Sequence, residues 1–245
     1  MATAAPTRTE QVYARLRADI LAGHLTPGAK LPFAELAARY GGSTSVIREG
    51  LTRLVEQGLV HAEPQHGFRV VPLSISDLDD LTTARCELEG LVLRLSVEAG
   101  DLEWESAIVA AHHTLERTPM AGPATESGDE PGSLSDEWRA AHARFHNALI
   151  AGCPNLRLRT MASSLRDAAE LYRSWSGRLG HDQHRDIPGE HDAIAEAALA
   201  RDADGAVAEL TAHLRRTADL LIGLATSESG RVGADALEQT QLDEH

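Results

Sequence analysis

From residue 76 onward the chain places an apolar side chain every three to four positions almost without interruption. That period admits one kind of structure, a set of helices packed on one another. Leu78, Leu81, Ala84, Leu88, Leu91, Val92 and Leu95 carry it along a long helix to about Gly100, opened by a Ser76-x-x-Asp79 capping signature with Asp in place of the usual Glu. Further helices are predicted over about Asp101–Arg117, Ser135–Ala151, Asn155–Trp175, Gly189–Arg201 and Ala203–Ala225. Residues 118–134 hold three Pro and three Gly and read as a disordered loop; GRLGHDQHRDIPG reads as irregular. Residues 73–226 are therefore expected to form an all-helical antiparallel bundle, with 227–245 a frayed, disordered tail.

The first 72 residues follow a different plan. Thr9 is the expected cap of a helix whose stripe is Val12, Leu16, Ile20 and Leu21, ending at Gly23. Leu31, Leu36, Ala37 and Tyr40 predict a short second helix, stopped by Gly41-Gly42. A third begins at Ser43-Thr44-Ser45, buries Ile47, Leu51, Leu54 and Val55, and stops at Gly58. His61 to Val71 then alternates around Pro64 and Gly67 as a two-stranded wing would. The fold class is thus mainly α: an N-terminal winged helix-turn-helix over 1–72, then the bundle.

Charge divides at the same boundary. The net charge is −14, yet residues 1–72 hold eight basic and six acidic side chains, and the remainder 15 basic and 31 acidic. A mildly basic front on an acidic body is the pattern of a nucleic-acid module joined to something else. The start of the third helix suits a major groove: small hydroxyls at Thr44 and Ser45 can approach bases and phosphates, and Arg48 can grip a guanine or a phosphate. A helical hairpin in which Arg48 merely pairs with Glu49 or Glu56 is the alternative. With two cysteines in no ligand-like spacing, a disulfide framework and a Cys-based zinc finger are excluded. No run approaches a membrane span, and MATAAPTRTE has no apolar signal core, so a cytoplasmic protein is expected.

The body's chemistry lies in histidines. His142 and His146 are i, i+4 on one predicted helix and share a face. His191 and His213 lie equidistant from the turn at Ala200–Asp204, so antiparallel helices would set them side by side. One buried histidine is more often a hydrogen-bonded core residue than a ligand, but two such pairs can build a metal site in a bundle core. Four imidazoles suit Zn²⁺, Ni²⁺, Cu²⁺ or Fe²⁺. His112 and His113 point to different faces and are not expected to be ligands. His181-x-x-His184 sits in the irregular segment.

The stretch LRADILAGHLTPGAKLPFAELAARYGGSTSVIREGLTRLVEQGLVHAEPQHGFRVVPLS resembles the DNA-binding domain of GntR-superfamily transcription regulators. The PG-x-x-L turn, the S-x-x-x-x-RE-x-L-x-x-L core and the Gly-containing wing match in order. The resemblance implies that Thr44, Ser45 and Arg48 contact DNA and that His66 and Gly67 form the wing tip. This chain has Thr44 where the family commonly has Arg, Val46 for Pro and Gly50 for Ala. Arg85-x-x-Leu88-Glu89, His142-x-x-Phe145-His146, Asn155-x-x-Leu158, Glu190-His191-x-x-Ile194 and the closing segment with His213 resemble the FCD effector domain of FadR-type GntR regulators. There the equivalents of His142, His146, His191 and His213 bind a divalent metal, the first commonly being Asp or Asn. FCD domains resemble sensors of small carboxylates, for which Arg85, Asn147 and Arg173 are the candidate effector-binding residues. Arg85 has an ion pair with Glu89 as its alternative role.

The expected function is a metabolite-responsive regulator, a repressor acting as a homodimer on a palindromic double-stranded DNA operator. Its effector would be a small carboxylate at a His-ligated divalent metal, Zn with Ni or Fe as alternatives. Two other readings remain: a regulator for which the metal itself is the signal, and a metal-dependent enzyme. The enzyme reading lacks a nucleophile motif, a phosphate loop and paired carboxylates, with Glu190 its one candidate base and aimed elsewhere by helical geometry.

Overall fold

The computed structural model describes residues 6–72, 74–120, 134–175 and 185–242. Two compact units are present, Met1–Ser74 with Thr160–Trp175, and Ile75–Arg159 with Ser176–His245. Helix α7 (Leu156–Trp175) begins in the second unit and contributes Thr160 onward to the first. Within that first unit Leu171 is buried in the same apolar core as Leu16, Ile20 and Leu51, and Asp167 pairs with Arg17.

The first unit opens with α1 (Arg8–Leu21), and Thr7, not Thr9, caps it. Thr7 accepts from the Glu10 N–H at 3.2 Å while the Glu10 carboxylate accepts from the Thr7 N–H at 2.6 Å. A cap at Thr9 would place Val12 three residues on, which cannot return the bond. Helix α2 (Phe33–Tyr40) ends at Gly41 and Gly42, with φ of 69° and 123°. That left-handed backbone favours glycine, and it delivers Ser43 to cap α3 (Thr44–Glu56) through the Val46 N–H. Val12, Leu16, Ile47, Leu51 and Leu54 fill the space between helices. Strands β1 (Val60–Glu63) and β2 (Gly67–Val70) pair antiparallel with Ala62 opposite Phe68. The other edge of β2 is tied down by Leu31 N–H to Phe68 C=O and Val70 N–H to Ala29 C=O.

The second unit contains α4 (Ile75–Ala99), α5 (Leu102–Arg117), α6 (Asp136–Ile150), the start of α7, α8 (Ile187–Leu199) and α9 (Ala203–Leu242). Side chains of Asp101, Ser135 and Asp186 cap α5, α6 and α8. Helix α4 starts at Ile75, one residue ahead of the predicted Ser76 cap, and its inward face departs from the predicted stripe. Leu91 is 46% exposed, whereas Leu93 and Val97 are buried beside Arg85 and Glu89, which neutralise each other inside. Helix α8 begins earlier than predicted because Asp186 and Pro188 start it; Pro tolerates the first turn, where its missing N–H is not needed. Helix α9 continues to Leu242, through the predicted tail, and no proline interrupts it. The predicted loop lies mostly outside the described residues, as do His181 and His184.

α4 packs on α9, α5 on α6 and α8, and α8 on α9. Leu93, Ile108, Phe145, Leu149, Ile194, Leu210 and Leu214 form the apolar core they enclose. The α8–α9 turn is made by Arg201 in a left-handed conformation (φ 61°) and by Asp202, which caps α9 through the Gly205 N–H. No helix among the described residues is long and apolar enough to cross a membrane.

Gly50 is buried in α3, and a methyl group there would meet Leu16 Cδ1 at 3.5 Å and Tyr13 backbone at 3.7 Å, ordinary contact distances. Gly50→Ala should therefore stabilise the chain by about 1 kcal/mol through helix propensity alone, visible as a rise in Tm of roughly 2–4 °C. A fall in Tm would show that α1 and α3 cannot accept the added volume.

Candidate functional site

The centre of the second unit is polar. Helix α6 presents His142 and His146 one turn apart, α8 presents His191 and α9 presents His213, all 2–3% exposed. One ring nitrogen from each lies within 4.8 Å of the others, and the Nε2 atoms of His142 and His146 are 3.1 Å apart. The predicted meeting of His191 with His213 across the antiparallel turn is realised, with ring centroids 4.8 Å apart. Trp138 stacks on His142, and Phe145 sets its ring against His146 and His191, so apolar rings fix the imidazoles in place.

This cluster fits a divalent metal on its own geometry. His191 Nε2 is shielded from solvent and has no hydrogen-bond partner, a condition that costs about 1–3 kcal/mol unless something satisfies it. Burial first, and the neighbouring His213 second, hold the His191 pKa well below its ordinary value, so it is neutral, the form that ligates. Four neutral imidazoles on one dication match the donor preferences of Zn²⁺, Ni²⁺ or Fe²⁺.

Glu190 is aimed at the cluster's support, not elsewhere as helical geometry alone implied. Its Oε2 lies 2.8 Å from His213 Nδ1. Arg185 donates to both carboxylate oxygens at 3.0 and 2.7 Å, to the His213 carbonyl at 3.2 Å and to Thr217 Oγ1 at 3.0 Å. Burial pushes the Glu190 pKa up, but hydrogen bonds from His213 and Arg185, with their charges, together hold it far below the usual carboxylate range. An ionised carboxylate only accepts, so His213 Nδ1 is the donor and its Nε2 lone pair is left for the cluster. Sequence reasoning missed this pairing because it placed Glu190 on its own helix and left Arg185 in an irregular segment. Arg185, Glu190, Arg216 and Asp219 also line an open groove of ≈ 620 Å³.

Of the candidate effector residues, Arg85 is buried and bonds Glu89 Oε1 at 2.7 Å, the alternative role foreseen for it. Asn147 is exposed, unlike the histidines on the same helix. Arg173 belongs to the first unit, where its guanidinium meets Glu170. Cys86 and Cys153 are buried and unbridged, and Trp104 and Trp138 are core residues.

In the first unit, Thr44, Ser45 and Arg48 are exposed at the start of α3, and His66 is exposed at the wing turn beside Gly67 (φ 91°). Arg48 lies over the Phe33 ring at 4.6 Å. A concavity of ≈ 410 Å³ between α3 and the wing is lined by Phe33, Arg48, Glu63, Pro64, Gln65 and Gly67. The fold thus brings Arg48 and the wing turn to one surface.

A winged helix-turn-helix with an exposed polar recognition helix, carried with an all-helical domain enclosing four histidines, defines a class of DNA-binding regulator. Residues 8–70 match the family described as "Bacterial regulatory proteins, gntR family", and residues 80–216 match the FCD domain. The chain belongs to the gntR family of bacterial regulatory proteins, in its FCD-containing form, and is a DNA-binding transcription regulator. It is 36% identical over 209 residues (84% of this chain, 81% of the relative) to the uncharacterized HTH-type transcriptional regulator BphR of Paraburkholderia xenovorans (strain LB400). It is 33% identical over 205 residues (82% and 90%) to the HTH-type transcriptional repressor GlaR of Escherichia coli (strain K12). The solved structure of E. coli McbR/YncC shares the fold, with TM-score 0.72 and 22% identity over 89% of this chain and 98% of that one. These families and relatives are transcription regulators, not enzymes.

The Glu190 network yields a stability test. Glu190→Ala leaves Arg185, whose side chain is 8% exposed, without its carboxylate partner. The loss should be about 1–3 kcal/mol, measured by thermal denaturation of metal-free protein; an unchanged Tm would mean that the network contributes nothing.

Proposed function

We propose that the chain is a metabolite-responsive repressor whose effector, a small carboxylate, binds against a divalent metal held by His142, His146, His191 and His213. The observation that carries this reading is the convergence of four buried imidazoles, one of them with an unsatisfied Nε2. A dication there would be the largest local charge and would draw a carboxylate oxygen. With His142 in place of an acidic ligand, none of the four proposed ligands itself carries charge, so the liganded ion keeps +2 with Zn²⁺ and favours anions. Arg85, already shaped to hold the Glu89 carboxylate, is the second anchor; Asn147 and Arg173 remain the weaker effector candidates.

DNA binding is assigned to Thr44, Ser45, Arg48, His66 and Gly67. A homodimer would set two such surfaces on palindromic half-sites about one DNA turn apart. Effector binding acts by differential affinity for two arrangements of the DNA-binding units, relieving repression. The repressor sign is supported by the name of the GlaR relative.

One observation favours a second reading, in which the metal itself is the signal. Four histidine ligands fill a tetrahedral shell and leave no position open unless coordination expands. Thermal denaturation of the metal-loaded chain across a panel of mono-, di- and hydroxycarboxylates separates the two. An effector at 100 times its Kd adds about 2.7 kcal/mol. A shift with one carboxylate class that disappears on chelation supports the sensor. No shift from any carboxylate, together with operator affinity that follows metal loading, transfers the function to metal sensing.

On the DNA side, Arg48→Ala should cost roughly 1–3 kcal/mol on the specific operator if Arg48 reads a base. Equal weakening on every sequence, with a shallower salt dependence, would make it a phosphate contact instead.

A further inference from the structure

A second group of metal-ligating side chains lies outside the four-histidine cluster. His112 and Glu116 are one turn apart on α5 and so share a face. Asp192 follows His191 on α8, and one residue along a helix turns the side chain by about 100°. While His191 enters the cluster, Asp192 faces α5, which packs on α8. One ligand atom from each of His112, Glu116 and Asp192 lies within 4.8 Å of the other two.

Inside this trio His112 Nε2 and Asp192 Oδ1 are 2.9 Å apart. Both atoms are shielded from solvent, yet neither makes a hydrogen bond, because the contact is not aligned as one. A nitrogen and an oxygen this close, neither of them hydrogen-bonded, can reach one cation together, and such an ion would satisfy both. Glu116 is exposed and can swing onto that point.

We infer that His112, Glu116 and Asp192 form a second divalent-cation site, on the α5–α8 face of the bundle and separate from the four-histidine centre. Two carboxylates neutralise a dication, and three protein ligands leave positions for water, so the site suits borderline and harder ions, Zn²⁺ and Mn²⁺ among them. It is more open than the four-histidine centre: the Asp192 side chain is 45% exposed and that of His112 19%. Because His191 and Asp192 are neighbours, an ion here also clamps α8 to α5 one residue from the inner cluster.

The test is metal stoichiometry of the full chain after equilibrium dialysis against Zn²⁺, comparing wild type with Glu116→Gln, Asp192→Asn, their combination and His213→Ala. The combined variant should bind one ion fewer than wild type while keeping the one that His213→Ala loses. An ion lost with Glu116 and Asp192 but retained in His213→Ala supports this site even if the four-histidine assignment fails. Stoichiometry unchanged in the combined variant overturns it and leaves His112–Asp192 as an ion pair. Glu116→Gln and Asp192→Asn keep side-chain size, so folding is preserved, and the room-temperature spin-resonance signal of Mn²⁺ gives a second readout. In the His213→Ala background the chain should quench the free-ion signal and added Asp192→Asn should restore it; equal quenching with and without Asp192→Asn also overturns the site.

Discussion

Four imidazoles in the middle of an apolar core are the constraint on which the second unit depends. Each carries two ring nitrogens, and away from water an unpaired polar atom costs more than a hydrogen bond returns. Trp138, Phe145, Ile194 and Leu210 belong to the apolar core around them, with Trp138 stacked on His142. His191 Nε2, shielded from solvent and without a hydrogen-bond partner, is the nitrogen that an ion shared by the cluster would satisfy. The outer nitrogen of His213 is already committed to Glu190, which Arg185 in turn holds in place. The cluster is thus organised from outside inward: guanidinium to carboxylate to imidazole, with lone pairs left facing the centre.

This arrangement asks for three helices in register, since the histidines come from α6, α8 and α9. The tight α8–α9 turn, with Arg201 in left-handed backbone and Asp202 capping the next helix, sets His191 against His213. Apolar packing of α5 on α6 and of α4 on α9 supplies the stability that the polar centre does not. In the first unit the same logic of placement operates with different chemistry. Gly41 and Gly42 take up a left-handed turn that lets Ser43 cap α3, and the exposed start of that helix is where Thr44, Ser45 and Arg48 stand.

Much of this was legible in the residues because period and spacing act locally. The i, i+4 step joins His142 to His146, and equal distance from a turn joins His191 to His213; both follow from helix geometry alone. The helix-turn-helix and wing were readable for the same reason, from stripes, glycine stops and alternation. What escaped depends on contacts between distant elements. Glu190 meets His213 across helices, and Arg185 reaches it from a segment without period. The burial of Leu93 rather than Leu91 depends on the neighbours of α4, since both residues satisfy an apolar pattern. α7 offers one continuous stripe, and nothing in its sequence marks Thr160 as the point where its packing changes from one unit to the other. The Thr7 cap was readable in principle, because only Thr7 has a glutamate three residues on.

X-ray absorption at the zinc edge, on full-length chain loaded with one equivalent of Zn²⁺, tests the central claim most directly. The account predicts a first shell of imidazole nitrogens at about 2.0–2.1 Å, with the outer-ring scattering of histidine, and its loss in His213→Ala. A shell dominated by carboxylate or water oxygen, unchanged in that variant, would contradict it.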